Sequence, residues 1–141
     1  MSASDPELAR LVSRWVEKAE RDLRLAELAL AQAEPCPFDL VCYHAQQCAE
    51  KYLKSYLVAR QVEFPYTHDL RVLTGMIEGE LGTGPFCRQA GALTVYESRT
   101  RYPYDAPDPD RAEALRALEL AREVRQAVIS LLCGEGFNVA G

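Results

Sequence analysis

A strongly amphipathic stretch, residues 41 to 60, most constrains how this chain can fold. Drawn as a helix with about 100° per residue, it has one broad apolar side that carries Val41, Ala45, Cys48, Ala49, Tyr52, Leu53 and Tyr56. The opposite side is a polar stripe about 80° wide, made by His44, Gln47, Lys51 and Lys54. Since an amphipathic helix packs its apolar side on a core, the stretch predicts the central helix of a small bundle.

The polar stripe of this helix has two interpretations. In a chain of net charge −5, an imidazole, an amide and two ammonium groups in one row can face a phosphate or an acidic partner. Charged rows are also the normal solvent-facing surface of bundle helices. The first interpretation makes Lys51 and Lys54 candidate nucleotide- or RNA-binding residues.

The N-terminal region predicts a long first helix. Asp5 is a candidate N-cap, Pro6 suits the first helical position, and Glu7 favours the positive end of the helix dipole. We expect the helix to run to about Ala33. Apolar side chains recur every three or four residues, and we expect them to form a core-facing stripe anchored by Trp15: Leu8, Leu11, Val12, Trp15, Ala19, Leu23, Ala26 and Leu30.

Prolines and glycines separate the following helices. Pro35 and Pro37 leave only a short link, so the first two helices should form an antiparallel hairpin. Thr67 is the candidate N-cap of a brief third helix that turns Leu70, Leu73 and Ile77 inward and closes at Gly79, Gly82 and Gly84. A fourth helix is predicted from Pro85 to near Arg99, with Phe86, Ala90, Leu93 and either Val95 or Tyr96 inward.

A last helix is predicted after the proline-rich bend. Asp108 should cap it and Pro109 should start it, and it should end near Leu132 with Ala114, Leu118, Ala121, Val128 and Leu131 facing the core. No stretch alternates like a strand. The sequence therefore predicts an all-α fold of four to five helices in a single domain, residues 1–133, followed by a flexible tail, residues 134–141.

Composition and missing motifs exclude several kinds of site. A net charge of −5 argues against a broad face for duplex DNA. No export signal or apolar run long enough to span a bilayer occurs, so we expect a cytoplasmic protein with no membrane contact. The five cysteines show no paired spacing of a zinc site, and no glycine-rich phosphate loop is present. We therefore predict neither a metal nor a cofactor.

The segment YESRTRYPYD, from Tyr96 to Asp105, concentrates arginine and tyrosine at a helix end and in the bend that follows. Guanidinium groups bind phosphate oxygens in pairs, and tyrosine rings stack on bases. The candidate nucleotide- or RNA-binding residues are Arg99, Arg101, Tyr102 and Tyr104. The same residues also fit an ordinary loop, in which the arginines pair with Glu97 and Asp105 and the tyrosines provide packing contacts.

Four stretches together resemble the HEPN domain family. They are WVEKAERDL (Trp15 to Leu23), YHAQQCAEKYLKSYL (Tyr43 to Leu57), THDL (Thr67 to Leu70) and SRTRYP (Ser98 to Pro103), in the family's order and approximate spacing. The resemblance implies an up-and-down helical bundle that is usually a homodimer. It also implies a partner, a minimal nucleotidyltransferase, with which such domains form two-component or toxin–antitoxin pairs, and makes Tyr102 and Tyr104 candidate acceptors of nucleotidyl transfer.

Many members of that family are metal-independent ribonucleases with an arginine followed, after four to six residues, by a histidine. Neither Arg99 nor Arg101 has a histidine at that distance. The resemblance therefore favours a nucleotide- or RNA-binding module. The alternative is a ribonuclease in which Arg101 stabilises the transition state and a histidine from another helix, His44 before His68, acts as the acid or base.

Overall fold

Residues 2–99, 103 and 107–139 are described by the computed structural model. Over these residues the chain forms five α-helices and one 3-10 helix, and no strand: α1 Pro6–Leu30, α2 Phe38–Ala59, α3 Leu70–Leu81, the 3-10 helix Arg88–Thr94, α4 Val95–Arg99 and α5 Arg111–Gly134. The predicted all-α, up-and-down bundle is confirmed. No helix in this part of the chain combines the length and apolar character needed to cross a bilayer.

The predicted start of α1 is confirmed in detail. The side chain of Asp5 accepts a hydrogen bond of 3.0 Å from the backbone N–H of Glu7, and Pro6 occupies the first helical position. This cap satisfies one of the N–H groups that every helix start leaves without a partner. The helix ends at Leu30, earlier than the expected Ala33.

The buried side of α1 is rotated relative to the predicted stripe. Its centre is formed by Val12, Val16, Ala19, Leu23 and Ala26. Leu11 and Trp15 lie at the edge of this line, so Leu11 is 50% exposed and Trp15 is half-buried. These two residues are therefore less buried than predicted. The spacing of apolar residues defines a stripe along the helix, but it does not define how the helix is rotated about its axis against its neighbour.

Helix α2 is the central helix of the bundle, as predicted. It contacts α1, α3, α4, α5 and the 3-10 helix. The whole predicted apolar side is buried, and Tyr52, Leu53 and Tyr56 are among the largest buried side chains of the core. Because α2 touches every other helix of the described chain, its polar residues are the ones best placed to connect different parts of the molecule.

Helix α3 starts with a different cap from the one predicted. Asp69 caps it and accepts a hydrogen bond of 3.0 Å from the N–H of Arg71, whereas Thr67 accepts one from the N–H of Asp69. Thr67 and Asp69 therefore each bond the residue two positions ahead, but only Asp69 adjoins the helix. Gly82 ends α3 with φ 64°, the left-handed conformation that favours glycine.

The predicted fourth helix is two elements. The 3-10 helix Arg88–Thr94 and α4 Val95–Arg99 replace a single helix from Pro85. Tyr96 is buried while Val95 is 46% exposed, so the choice between these two is settled in favour of Tyr96.

Helix α5 begins two residues later than predicted. Asp110, and not Asp108, accepts the capping hydrogen bond, which comes from the N–H of Glu113 at 2.9 Å. The residues after α5 also differ from the expected flexible tail, since Phe137 and Val139 are buried and belong to the core. The remaining tail residues, 140 and 141, lie outside the described chain.

Candidate functional site

The polar stripe predicted on α2 is not an open row of charges. Lys54 is only 6% exposed, and its ammonium donates a hydrogen bond of 3.0 Å to Glu50. The same ammonium lies 5.6 Å from the ring centre of Phe64, in the connection that follows α2. The expectation that Lys54 faces solvent is therefore wrong, because the connection between α2 and α3 covers this part of the stripe.

A first ionic cluster joins α2 to α1 around Asp22. His44 Nδ1 lies 2.9 Å from Asp22 Oδ1, and Lys51 donates a hydrogen bond to Asp22 Oδ2. Asp22 is buried, while His44 and Lys51 are half-buried. Because His44 and Lys51 both bind the Asp22 carboxylate of α1, their first role is to hold two helices together.

A second ionic cluster of α2 surrounds Glu50. Its carboxylate, 4% exposed, binds Gln46 Nε2 at 3.0 Å and Lys54 Nζ at 3.0 Å. His68 Nδ1, from the connection before α3, lies 2.8 Å from Glu50 Oε1. A buried carboxylate needs such partners, since an unpaired charge in a core is strongly unfavourable. Glu50 therefore has a complete set of donors.

His68 extends this second cluster to α4 and to the surface. Its Nε2 lies 3.5 Å from Glu97 Oε1, and its ring meets the ring of Tyr66 edge to face with centres 5.4 Å apart. Tyr66 is 92% exposed. One imidazole thus connects a buried carboxylate of α2, a carboxylate of α4 and an open aromatic ring.

Arg99 connects the end of α4 to Pro107 and to α5. Its Nη2 donates a hydrogen bond of 2.6 Å to the carbonyl oxygen of Pro107, and its Nη1 lies 3.9 Å from Glu113 of α5. Glu113 also accepts a 2.5 Å hydrogen bond from the hydroxyl of Tyr96. Arg99 therefore has a structural role in these contacts, while its predicted partner Asp105 lies outside the described residues.

The other three predicted ligands, Arg101, Tyr102 and Tyr104, lie outside the described residues. The structure does describe the residues on either side of these ligands, and two of those residues, Arg99 and Pro107, are in direct contact. Arg99 is two residues after Glu97, which contacts His68. The described start of the arginine- and tyrosine-containing segment, Tyr96 to Arg99, therefore adjoins the His68 cluster.

Two of the thiols, Cys42 and Cys87, are held in the unreactive protonated form. Burial raises the pKa of Cys42 to about 12, and burial together with Glu123 raises the pKa of Cys87 to about 11. Both thiols are therefore protonated at neutral pH. Among the residues with described positions, no group of three or more His, Cys, Asp or Glu side chains could hold a metal ion.

Sequence reasoning missed Asp22 and Glu50, named Glu97 only as a partner of the arginines, and ranked His44 above His68. A signal for Glu50 was present, because Gln46, Glu50 and Lys54 are each four residues apart and can meet on one helix face. No spacing rule connects His68 with Glu50 or Glu97, since these contacts depend on tertiary packing.

Comparison with known proteins identifies the family. The sequence model of the HEPN domain matches residues 12–131 of the chain. The chain belongs to the HEPN domain family. The matched range includes both ionic clusters and the segment after α4, so these features lie within the HEPN domain.

Two solved structures resemble this HEPN domain closely. TT1696 from Thermus thermophilus is 28% identical with a TM-score of 0.73, and the match covers 84% of this chain and 96% of that one. ST0689, described as an archaeal HEPN homologue, is 26% identical with a TM-score of 0.69, over 86% of this chain and 97% of that one. Among curated protein sequences no significant match is found.

Proposed function

We propose that this HEPN-domain protein is a nucleotide- or RNA-binding module that works as a homodimer with a minimal nucleotidyltransferase, as one half of a toxin–antitoxin pair. Membership of the family supports the dimer and the partner. The observation that carries the binding role is the exposed ring of Tyr66 beside His68, which in turn contacts Glu97 of α4. This contact brings an open aromatic ring towards the start of the arginine- and tyrosine-containing segment.

The chemistry of this region fits an unpaired base and its phosphate. Exposed aromatic rings stack on bases with little dependence on sequence. Tyr66 supplies one such ring, and we assign the same role to Tyr102 and Tyr104. Arg101 would bind phosphate, while Lys51 and Lys54 are engaged by Asp22 and Glu50 and contribute less. Because the chain has a net charge of −5, we expect few phosphate contacts and a shallow dependence of affinity on salt.

Binding can be tested with a fluorescently labelled single-stranded RNA and fluorescence anisotropy, with EDTA present. Tyr66→Ala should weaken binding by about 1–3 kcal/mol, the contribution of one stacked base, and Arg101→Ala should weaken it as well. Arg10→Ala is the matched control for charge, because its side chain is 77% exposed on α1. Equal affinity of the wild type and of all three variants would overturn the binding role.

The partnership is tested separately by co-expression with a minimal nucleotidyltransferase. We expect a gain of nucleotidyl mass on the intact chain that disappears when Tyr102 and Tyr104 are both replaced by Phe. If this protein inhibits growth when it is expressed alone, and co-expression of the partner restores growth, that result would support the toxin–antitoxin role. An unchanged mass with an active partner present would contradict nucleotidyl transfer but leave RNA binding untouched.

The structure also changes the candidate base in the ribonuclease alternative. Both histidines contact a buried carboxylate through Nδ1, but that of His44 belongs to α1, whereas His68 also lies beside Glu97 of α4. A carboxylate on one nitrogen orients an imidazole for proton transfer through the other. Cleavage products in the binding samples that disappear in His68→Gln but persist in His44→Gln would favour this alternative. Intact RNA in every sample would exclude it.

A further inference from the structure

We infer that the outer face of α1 is a docking surface for an acidic, amphipathic helix of another protein. Its central row, here called the α1 ridge, is made by side chains that recur every three or four positions and are all exposed: Arg14, Lys18, Arg21, Leu25 and Leu28. On a helix this spacing gives one continuous row about 21 Å long. The α1 ridge shares no residue with the proposed RNA-binding region, so the inference goes beyond the proposed function.

The fold separates the charges of α1 between its inner and outer sides. The helix has as many acidic as basic side chains. Glu20 and Glu27 bind arginines of α5, and Asp22 binds a lysine of α2. All the basic side chains are exposed, and Glu7 and Glu17 are the exposed acidic residues that remain on the outer side. The outer face of α1 is therefore positive, although the chain has a net charge of −5.

Ion pairing distinguishes this face from the rest of the described chain. The side chains of Arg14, Lys18, Arg21 and Arg24 make no ion pair or hydrogen bond with another described residue. Every other lysine or arginine with a described position lies within 4.0 Å of a carboxylate of the chain. The unpaired cations are thus gathered on one helix face, where they are available to the carboxylates of a partner.

The leucines of the α1 ridge indicate the kind of partner. Leu25 is 49% exposed and Leu28 is 50% exposed, one helical turn beyond the cations. A phosphate backbone is contacted through its charged oxygens and does not cover leucines, whereas protein interfaces combine apolar side chains with arginine. A second helix matches the three- and four-residue spacing of the row. The partner helix should therefore carry carboxylates opposite the cations and apolar side chains opposite the leucines.

The charge of the α1 ridge also disfavours a second copy of this chain as the occupant. In an antiparallel pair centred on Arg21, this residue would face its own copy and Lys18 would face Arg24. In a parallel pair each cation would face its own copy. Like charges in contact across an interface are unfavourable. We therefore expect the proposed homodimer to use a different face and to leave the α1 ridge free.

Two labelled synthetic helical peptides of three heptads test this surface. In the first, glutamate and leucine occupy the positions that face the ridge, and in the second, glutamine replaces those glutamates. Fluorescence anisotropy with the full chain should show binding of the acidic peptide alone, weakening as salt is added. Arg21→Glu should weaken this binding about tenfold. The pair Leu25→Ala and Leu28→Ala should weaken it by a similar factor, which a purely ionic contact does not explain.

Arg116→Glu is the matched control, because Arg116 is an exposed cation of α5 and the charge of the chain changes equally. It should bind the acidic peptide like the wild type, and circular dichroism checks that every variant is folded. Equal binding of the two peptides, or an equal loss in Arg21→Glu and Arg116→Glu, would overturn the inference.

Two further measurements on Arg21→Glu separate the other possible occupants. A loss of RNA affinity in a chain that binds neither peptide would assign the α1 ridge to phosphate. A change of sedimentation coefficient would assign it to the homodimer. Either result would overturn the docking of an acidic helix. Because no residue of the α1 ridge is changed in the RNA-binding test above, the two proposals can fail independently.

Discussion

The guanidinium of Arg99 donates a hydrogen bond of 2.6 Å to the carbonyl oxygen of Pro107. The donor is the last residue of α4 and the acceptor lies eight positions further along the chain. The bond therefore joins the two sides of the segment that carries Arg101, Tyr102 and Tyr104. A residue predicted as a phosphate ligand is therefore engaged by a backbone carbonyl of the same chain.

Loss of this bond should make the segment easier to cleave. We expect Arg99→Ala to increase the rate of chymotrypsin cleavage after Tyr104 about fivefold, corresponding to the loss of about 1 kcal/mol from one hydrogen bond. The measurement is the initial rate of cleavage under native conditions. Arg10→Ala, at the far end of α1, should cleave like the wild type. An unchanged rate for Arg99→Ala would mean that other contacts restrain the segment.

Breaking the buried pair of Lys54 and Glu50 should destabilise the fold. Lys54→Met removes the ammonium and leaves the Glu50 carboxylate buried with fewer partners. We expect the free energy of unfolding to fall by about 3 kcal/mol, as is typical when one member of a buried pair is removed. Urea denaturation followed by circular dichroism measures this change.

The double variant Glu50→Gln with Lys54→Met supplies the control for that result. It removes both charges together, so no uncompensated charge remains, and the loss should be smaller than for Lys54→Met alone. Equal losses in the single and double variants would show that the methionine itself disturbs the packing beneath Phe64.

Buried tyrosines should make the fold sensitive to alkali. Burial, aided by Glu135, raises the pKa of Tyr56 to about 12, against about 10 in an unfolded chain. The folded state therefore retains the proton longer, so this contribution is complete below about pH 10 and is lost as pH rises towards 12. We expect the unfolding free energy to fall over that range, less steeply in Tyr56→Phe. Tyr66→Phe, an exposed ring, should follow the wild-type slope.

Two glycines of α3 should respond to alanine in opposite ways. Gly82 has φ 64°, so Gly82→Ala should lower the free energy of unfolding by about 1 kcal/mol. Gly79 lies inside the helix with nothing within 4 Å of an added Cβ, so Gly79→Ala should raise it by about 0.5–1 kcal/mol. Thermal melts of both variants test the pair. A stabilised Gly82→Ala would contradict the assigned end of α3.

The sequence was sufficient to predict the helices because local rules determine most of them. The Asp5 cap, the proline breaks and the apolar side of α2 were all correctly identified. Errors arose where two neighbouring residues satisfy the same rule, as with Asp108 and Asp110 before α5. Capping depends on which carboxylate reaches a free N–H, and periodicity does not determine that choice.

The contacts of the candidate site were harder to predict from the sequence than the helices were. Lys54 and Lys51 have the spacing of exposed residues, but a chain segment after α2 covers one and a carboxylate of α1 binds the other. The contact of His68 with Glu97 spans 29 positions in sequence. Such long-range contacts follow from how the helices meet, which the apolar pattern of each helix alone does not specify.

The packing of Trp15 gives the molecule an internal optical probe. The chain contains one tryptophan, and its ring meets Phe64 edge to face with centres 6.3 Å apart. Phe64 is also the ring above the Lys54 ammonium. The fluorescence of Trp15 should therefore report whether the connection over α2 is in place, without any attached label.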